Sequence, residues 1–140
     1  MYHLIFTKFG KFERSLRIEV GQTVVLIKFN FFDASRGMHF ENVAILIDQL
    51  NDQLRKMQYF WRDRSGLVCE QRGVFRVNCV DCLDRTNLVQ SALAKAVLQT
   101  QLSRLAMLAP DVPLPAQTRR AFQSLWANNG DAISRQYAGE

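Results

Sequence analysis

Histidine, proline and cysteine are all scarce in these 140 residues, with two, three and three copies respectively. His3 and His39 stand apart from each other and from any paired cysteine, so both are expected to be surface or structural residues. All three prolines fall within "LAPDVPLPAQT", residues 108–118, which marks that stretch as a surface connection. An odd number of cysteines with no apolar leader ahead of them argues against a disulfide framework and for a reducing compartment. Apolar runs of the roughly 20 residues that a bilayer crossing needs are also missing, so any membrane contact by this chain is expected to be peripheral. There is no internal repeat and no low-complexity tract.

Apolar side chains make up 48% of the sequence, enough for a buried core in one ordinary domain or a piece of one. Eighteen basic residues against 13 acidic ones give a formal charge of +5. That balance favours an anionic partner, whether a phosphorylated ligand, nucleic acid or an acidic membrane surface, and equally describes an ordinary basic surface.

Residues 23–32, "TVVLIKFNFF", are rich in β-branched and aromatic side chains and read as a largely buried strand inside a sheet. The turn-like "DASRG" follows. Residues 41–61 place Val43, Ile47, Leu50, Leu54, Met57 and Trp61 at spacings of three and four, the mark of one apolar helix face. "GLVC" and "GVFRVN" read as short strands joined through "EQRG" in a hairpin with its bend at Gly73. A second helix is expected from about Thr86 to Leu108, with Val89, Leu93, Val97 and Leu105 on one face. A third, "TRRAFQSLWA", should stop before "NNG", and Asp131 would then cap the next segment.

The densest chemistry lies in "FRVNCVDCLDRTNLVQ", residues 75–90. The pair Cys79-x-x-Cys82 could be half a zinc site, but only Cys69, His3 and His39 remain as further ligands and none has a second paired spacing. A redox pair would use the same cysteines, but it leaves Arg85 without a reason. The third reading takes Cys79 and Arg85 together. Five residues between them, set between a strand and a helix, can turn the amides of Val80, Cys82, Leu83 and Asp84 inward as an anion cradle. In that field Cys79 would ionise below the pKa of about 8.5 of a free thiol. Arg85 offers a planar fork for two phosphoryl oxygens. The Thr86 hydroxyl could bond the thiolate as it leaves phosphorus. A loop of this kind cleaves phosphate monoesters without a metal or cofactor.

Two carboxylates sit awkwardly in such a loop. Asp81, held protonated, would serve as general acid to the departing alkoxide. Asp84 is expected to turn outward or pair with an arginine. Asn78 and Asn87 flank the loop and are expected to brace its backbone.

"RVNCVDCLDRTN" closely resembles the catalytic signature of Sac-domain phosphoinositide phosphatases, and the resemblance extends to "RGMHFENV" (36–43) and "LWANNGDAISRQYAG" (125–139). It covers most of the chain from about residue 24, and its wording is nearest to members linked to removal of the 4-phosphate. The resemblance implies an α/β fold in which central strands carry flanking helices and a Cys-x5-Arg loop joins a strand to a helix. It divides the chain into an unplaced segment 1–22 and a partial catalytic domain 23–140. It implies Cys79 as nucleophile, Arg85 as phosphate ligand and Asp81 as acid, with no metal or other cofactor, and suggests Arg135 as a pocket-wall residue near the lipid phosphate. The partners it implies are phosphoinositide lipids on the cytosolic face of endosomal or Golgi-type membranes rather than nucleic acid. In a longer protein these extend to a homodimer or trafficking proteins.

"FNFF", Phe29–Phe32, departs from the "FDFH" of many relatives by losing an aspartate and a histidine. A Sac domain is also several hundred residues long. The chain alone is therefore expected to turn over weakly or not at all, because missing neighbours loosen a loop that must be held to a fraction of an ångström. The alternative expectation is an inactive fragment that binds anionic lipid or a protein partner.

Overall fold

The structure, a computed structural model, describes residues 16–20, 23–27, 40–75, 77 and 83–139. The chain divides into two compact units, Met1–Val80 and Asp81–Glu140.

In the first unit, strands β1 (Leu16–Val20) and β2 (Thr23–Ile27) form an antiparallel pair running in register from Leu16 opposite Ile27 to Val20 opposite Thr23. β-Branched residues favour such an extended ladder because their side chains pack well on a pleated surface. The remainder of the expected strand 23–32, and the "DASRG" turn, lie outside the described residues.

Helix α1 spans Phe40–Met57 and buries Val43, Leu46, Leu50 and Met57. Leu46 and Leu50 are fully enclosed, and burial of such a side chain contributes about 1.5–3 kcal/mol. Val43, Leu50 and Met57 of the predicted face are buried, while Leu46 takes the inside place expected of Ile47, which is half-buried like Leu54. The helix also ends four residues before the predicted Trp61. Gln58 takes a left-handed conformation (φ 55°), which stops the helix, and the Arg72 amide donates to the Met57 carbonyl at 2.7 Å, giving one orphan carbonyl of the last turn a partner. Arg55 and Lys56 lie in that turn, where cations complement the negative end of the helix dipole.

Trp61 instead opens strand β3 (Trp61–Asp63), which pairs antiparallel with β4 (Gly66–Cys69). The hairpin therefore forms on the other side of "GLVC" from the predicted bend at Gly73. Its turn is set by Asp63, whose Oδ1 accepts from the Ser65 amide (2.8 Å), the Ser65 hydroxyl (2.5 Å) and the Gly66 amide (3.2 Å). Asp side chains favour turns by this local bonding. The bonds to the ionised form, led by the Ser65 hydroxyl, hold the Asp63 pKa below its usual value. Gly66 follows at φ 131°, a conformation that a side chain would strain. Cys69 is buried and donates its thiol proton to Gln58 Oε1 at 3.2 Å, tying β4 to the end of α1.

The second unit is a helix pair. Helix α2 spans Leu83–Arg104 and buries Val89 and Leu93; helix α3 spans Ala116–Ala138. At the end of α2, Ala106 is left-handed (φ 55°), the Met107 amide bonds the Leu102 carbonyl (2.9 Å) and the Ala106 amide bonds that of Ser103 (3.1 Å). This Schellman closure ends the helix before Leu105, which is exposed rather than part of the apolar face. The proline-bearing connection is largely exposed, as expected, and is anchored by buried Leu114.

Helix α3 does not stop at "NNG". It runs through Asn128, Asn129 and Gly130 and closes at Gly139, left-handed at φ 74°, whose amide bonds the Arg135 carbonyl at 3.2 Å. Asp131 is thus an exposed residue of the helix interior rather than a cap. Asn and Gly are weak helix formers, so packing against α2 is what carries the helix across them. Phe122 and Trp126 stack obliquely within α3, with ring centroids 6.2 Å apart.

The chain is thus α/β, with three helices and two separate two-stranded antiparallel sheets among the described residues. No central sheet joins them there, and residues 70–75 and 77 are not in a strand, so the strand expected immediately before the cysteine loop is not found among these residues.

Candidate functional site

Of the predicted site, Asn78, Cys79, Val80, Asp81 and Cys82 lie outside the described residues. The described part is the helical half, Leu83 to Thr86. Helix α2 begins at Leu83, three residues earlier than expected, so Leu83, Asp84 and Arg85 form its first turn. First-turn amides have no partner inside their own helix, and the aligned peptide dipoles place a partial positive charge there. The amides of Leu83 and Asp84, expected to belong to a loop, are therefore helix-terminal donors, an arrangement suited to holding an anion.

The Asp84 side chain is exposed in that first turn. A carboxylate in a first turn favours the helix electrostatically. Thr86 is half-buried, one residue beyond Arg85.

The contacts next to this turn, at Asn87, come from α3. Asn87 donates from Nδ2 to the Trp126 carbonyl at 3.1 Å, and Asn129 donates from Nδ2 to Asn87 Oδ1 at 2.8 Å. Gly130 sits against the same amide: a Cβ built there would lie 3.0 Å from Asn87 Nδ2 and 3.7 Å from Cγ. The three contacts form one seat, in which both polar atoms of a half-buried amide are used and a missing side chain makes room for it. Asn87 thus ties α2 to α3; the loop backbone that it was expected to brace lies outside the described residues. The overlooked partners left a signal in the sequence, since "NNG" inside an otherwise favourable helix needs a packing reason.

Arg135 is exposed in the last turn of α3. From Asn129, Arg135 lies six residues further on, about 9 Å along the α3 axis at 1.5 Å per residue.

Among the described residues no three His, Cys, Asp or Glu side chains gather as a metal site. No helix among them is long and apolar enough to cross a membrane.

No family model matches the chain. Among curated proteins it is 51% identical over 113 residues to the phosphatidylinositide phosphatase SAC2 of Mus musculus and to that of Homo sapiens, covering 81% of this chain and 10% of each relative. It is 36% identical over 132 residues to the phosphoinositide phosphatase SAC6 of Arabidopsis thaliana, covering 92% of this chain and 22% of that protein. The phosphatidylinositol-3-phosphatase SAC1-A of Danio rerio is 39% identical over 116 residues, covering 81% of this chain and 20% of that protein. The chain spans about a tenth of the length of the SAC2 proteins.

Proposed function

This chain is a homologue of one segment of the Sac-domain phosphoinositide phosphatases, and we propose that it carries the catalytic loop of such an enzyme, within a partial catalytic domain formed by residues 23–140. The proposed reaction is hydrolysis of the 4-phosphate monoester of a phosphatidylinositol phosphate through a phosphocysteine. One observation carries this reading: in a chain 51% identical to SAC2 proteins over 113 residues, a 22-residue helix begins at Leu83, inside the Cys79-x5-Arg85 motif, so the positive end of its dipole falls within that motif.

Cys79 acts as a thiolate. Its sulfur attacks phosphorus, a P–S bond forms, and the P–O bond to the inositol ring breaks. Asp81 gives its proton to the departing oxygen. Water then attacks phosphorus, releasing inorganic phosphate and the thiolate, which the Thr86 hydroxyl stabilises by donating to it. Arg85 and the amides of Val80, Cys82, Leu83 and Asp84 hold the phosphoryl oxygens as charge moves between them. Arg135 lines the headgroup pocket. The +5 balance supports action at an anionic membrane face, and the family resemblance suggests one of the endosomal or Golgi type.

Phosphate release from short-chain phosphatidylinositol 3-, 4- and 5-phosphates, beside Cys79→Ser, tests the reading. Expected is Cys79-dependent release, slow in this chain, with the 4-phosphate preferred. Release that survives Cys79→Ser contradicts the mechanism. Vesicle binding that persists in Cys79→Ser, with no release by the unmodified chain, favours a lipid-binding module instead.

A further inference from the structure

We propose that Asn87 is a positioning residue: seated on α3 by Asn129, the Trp126 carbonyl and Gly130, it fixes the first turn of α2 and with it Arg85. The inference rests on the catalytic reading above and adds to it a part of the site that lies outside the motif. Asn87 is two residues beyond Arg85, within one helical turn, so a displacement of one moves the other. Its amide is oriented at both ends. The oxygen accepts from Asn129 at 2.8 Å, and the nitrogen donates to the Trp126 carbonyl at 3.1 Å.

The choice of carbonyl explains the glycine. In a helix the carbonyl of Trp126 faces the amide four residues later, which is that of Gly130. A side chain at 130 would crowd the approach of a second donor to this carbonyl, since its Cβ would stand 3.0 Å from Asn87 Nδ2. Glycine in a helix interior costs about 1 kcal/mol relative to alanine. Here it admits the Asn87 amide. Two asparagines and a glycine, each unfavourable in a helix alone, become mutually supportive once α2 and α3 meet.

The test reads the site without requiring turnover. Alkylation of the chain by iodoacetamide is followed across pH by peptide mapping, with buried Cys69 as the internal reference. In the unmodified chain, Cys79 should ionise below the pKa of about 8.5 of a free thiol. Asn87→Leu adds no charge but loses both the donor to Trp126 and the acceptor for Asn129. Gly130→Ala favours the helix itself while pushing the Asn87 amide away, so it reports positioning even where Asn87→Leu folds poorly. Both should move the Cys79 pKa upward, while Cys69 reactivity and helix content measured by circular dichroism stay as they were. A lowered Cys79 pKa that is unmoved by folded Gly130→Ala overturns the positioning role and leaves the catalytic reading standing. An ordinary Cys79 pKa in the unmodified chain overturns both.

Discussion

Replacing Gly130 by alanine should change sign with the residue at position 87. Taken alone, a helix-interior Gly→Ala change stabilises by about 1 kcal/mol, through lower backbone entropy in the unfolded chain. Against that, the new Cβ would stand 3.0 Å from Asn87 Nδ2, closer than side chains ordinarily approach, so the amide must shift. Its bonds to the Trp126 carbonyl (3.1 Å) and to Asn129 (2.8 Å) are then both at stake. At about 0.5–1.5 kcal/mol each, their loss amounts to about 1–3 kcal/mol. The net effect of Gly130→Ala should thus be a destabilisation of about 0–2 kcal/mol in the unmodified chain. In an Asn87→Ala background nothing remains to collide, and the same substitution should stabilise by about 1 kcal/mol. Urea unfolding of the four proteins gives the coupling, expected at about 1–3 kcal/mol. An equal effect of Gly130→Ala in both backgrounds would refute the idea that this glycine exists to seat Asn87.

Three further outcomes follow from the same contacts. Leu50→Ala removes a fully enclosed side chain from α1 and should cost about 2–5 kcal/mol in chemical unfolding. Asp63 has a lowered pKa in the folded hairpin, so its contribution is present above the ordinary carboxylate pKa of about 3.9 and lost as pH falls through the lower folded value. Amide exchange at Ser65 and Gly66 should accelerate in that acidic window in the unmodified chain and show no such step in Asp63→Ala. Arg85→Lys keeps the charge but not the planar fork, and phosphate release should fall by on the order of 10²-fold. Release close to that of the unmodified chain would remove Arg85 from its role.

Helix positions were legible wherever apolar periodicity was strong, as in α1 and the first half of α2. Their ends were not, because Gln58 and Ala106 adopt left-handed conformations through tertiary and capping bonds that composition does not announce. The hairpin was misplaced for a related reason. Gly73 looked like the natural bend, but the local bonds of Asp63 to Ser65 and Gly66 outweigh it. "NNG" misled most, since Asn and Gly close helices when unpartnered and continue one when a neighbouring helix occupies their donors and their empty space. The chemical expectation was reached in a different way. Cys79, Arg85 and Thr86 could be singled out by type and spacing, while the interhelical seat of Asn87 depends on residues about 40 positions away.

The most direct measurement is acid-quenched single-turnover reaction with short-chain phosphatidylinositol 4-phosphate, followed by mass spectrometry of the peptide carrying Cys79. The prediction is a phosphoryl group on the Cys79 sulfur, absent in Cys79→Ser and accumulating in Thr86→Ala, where thiolate departure is slowed. Phosphate release with no phosphorylated Cys79 at any quench time, in either the unmodified chain or Thr86→Ala, would contradict it.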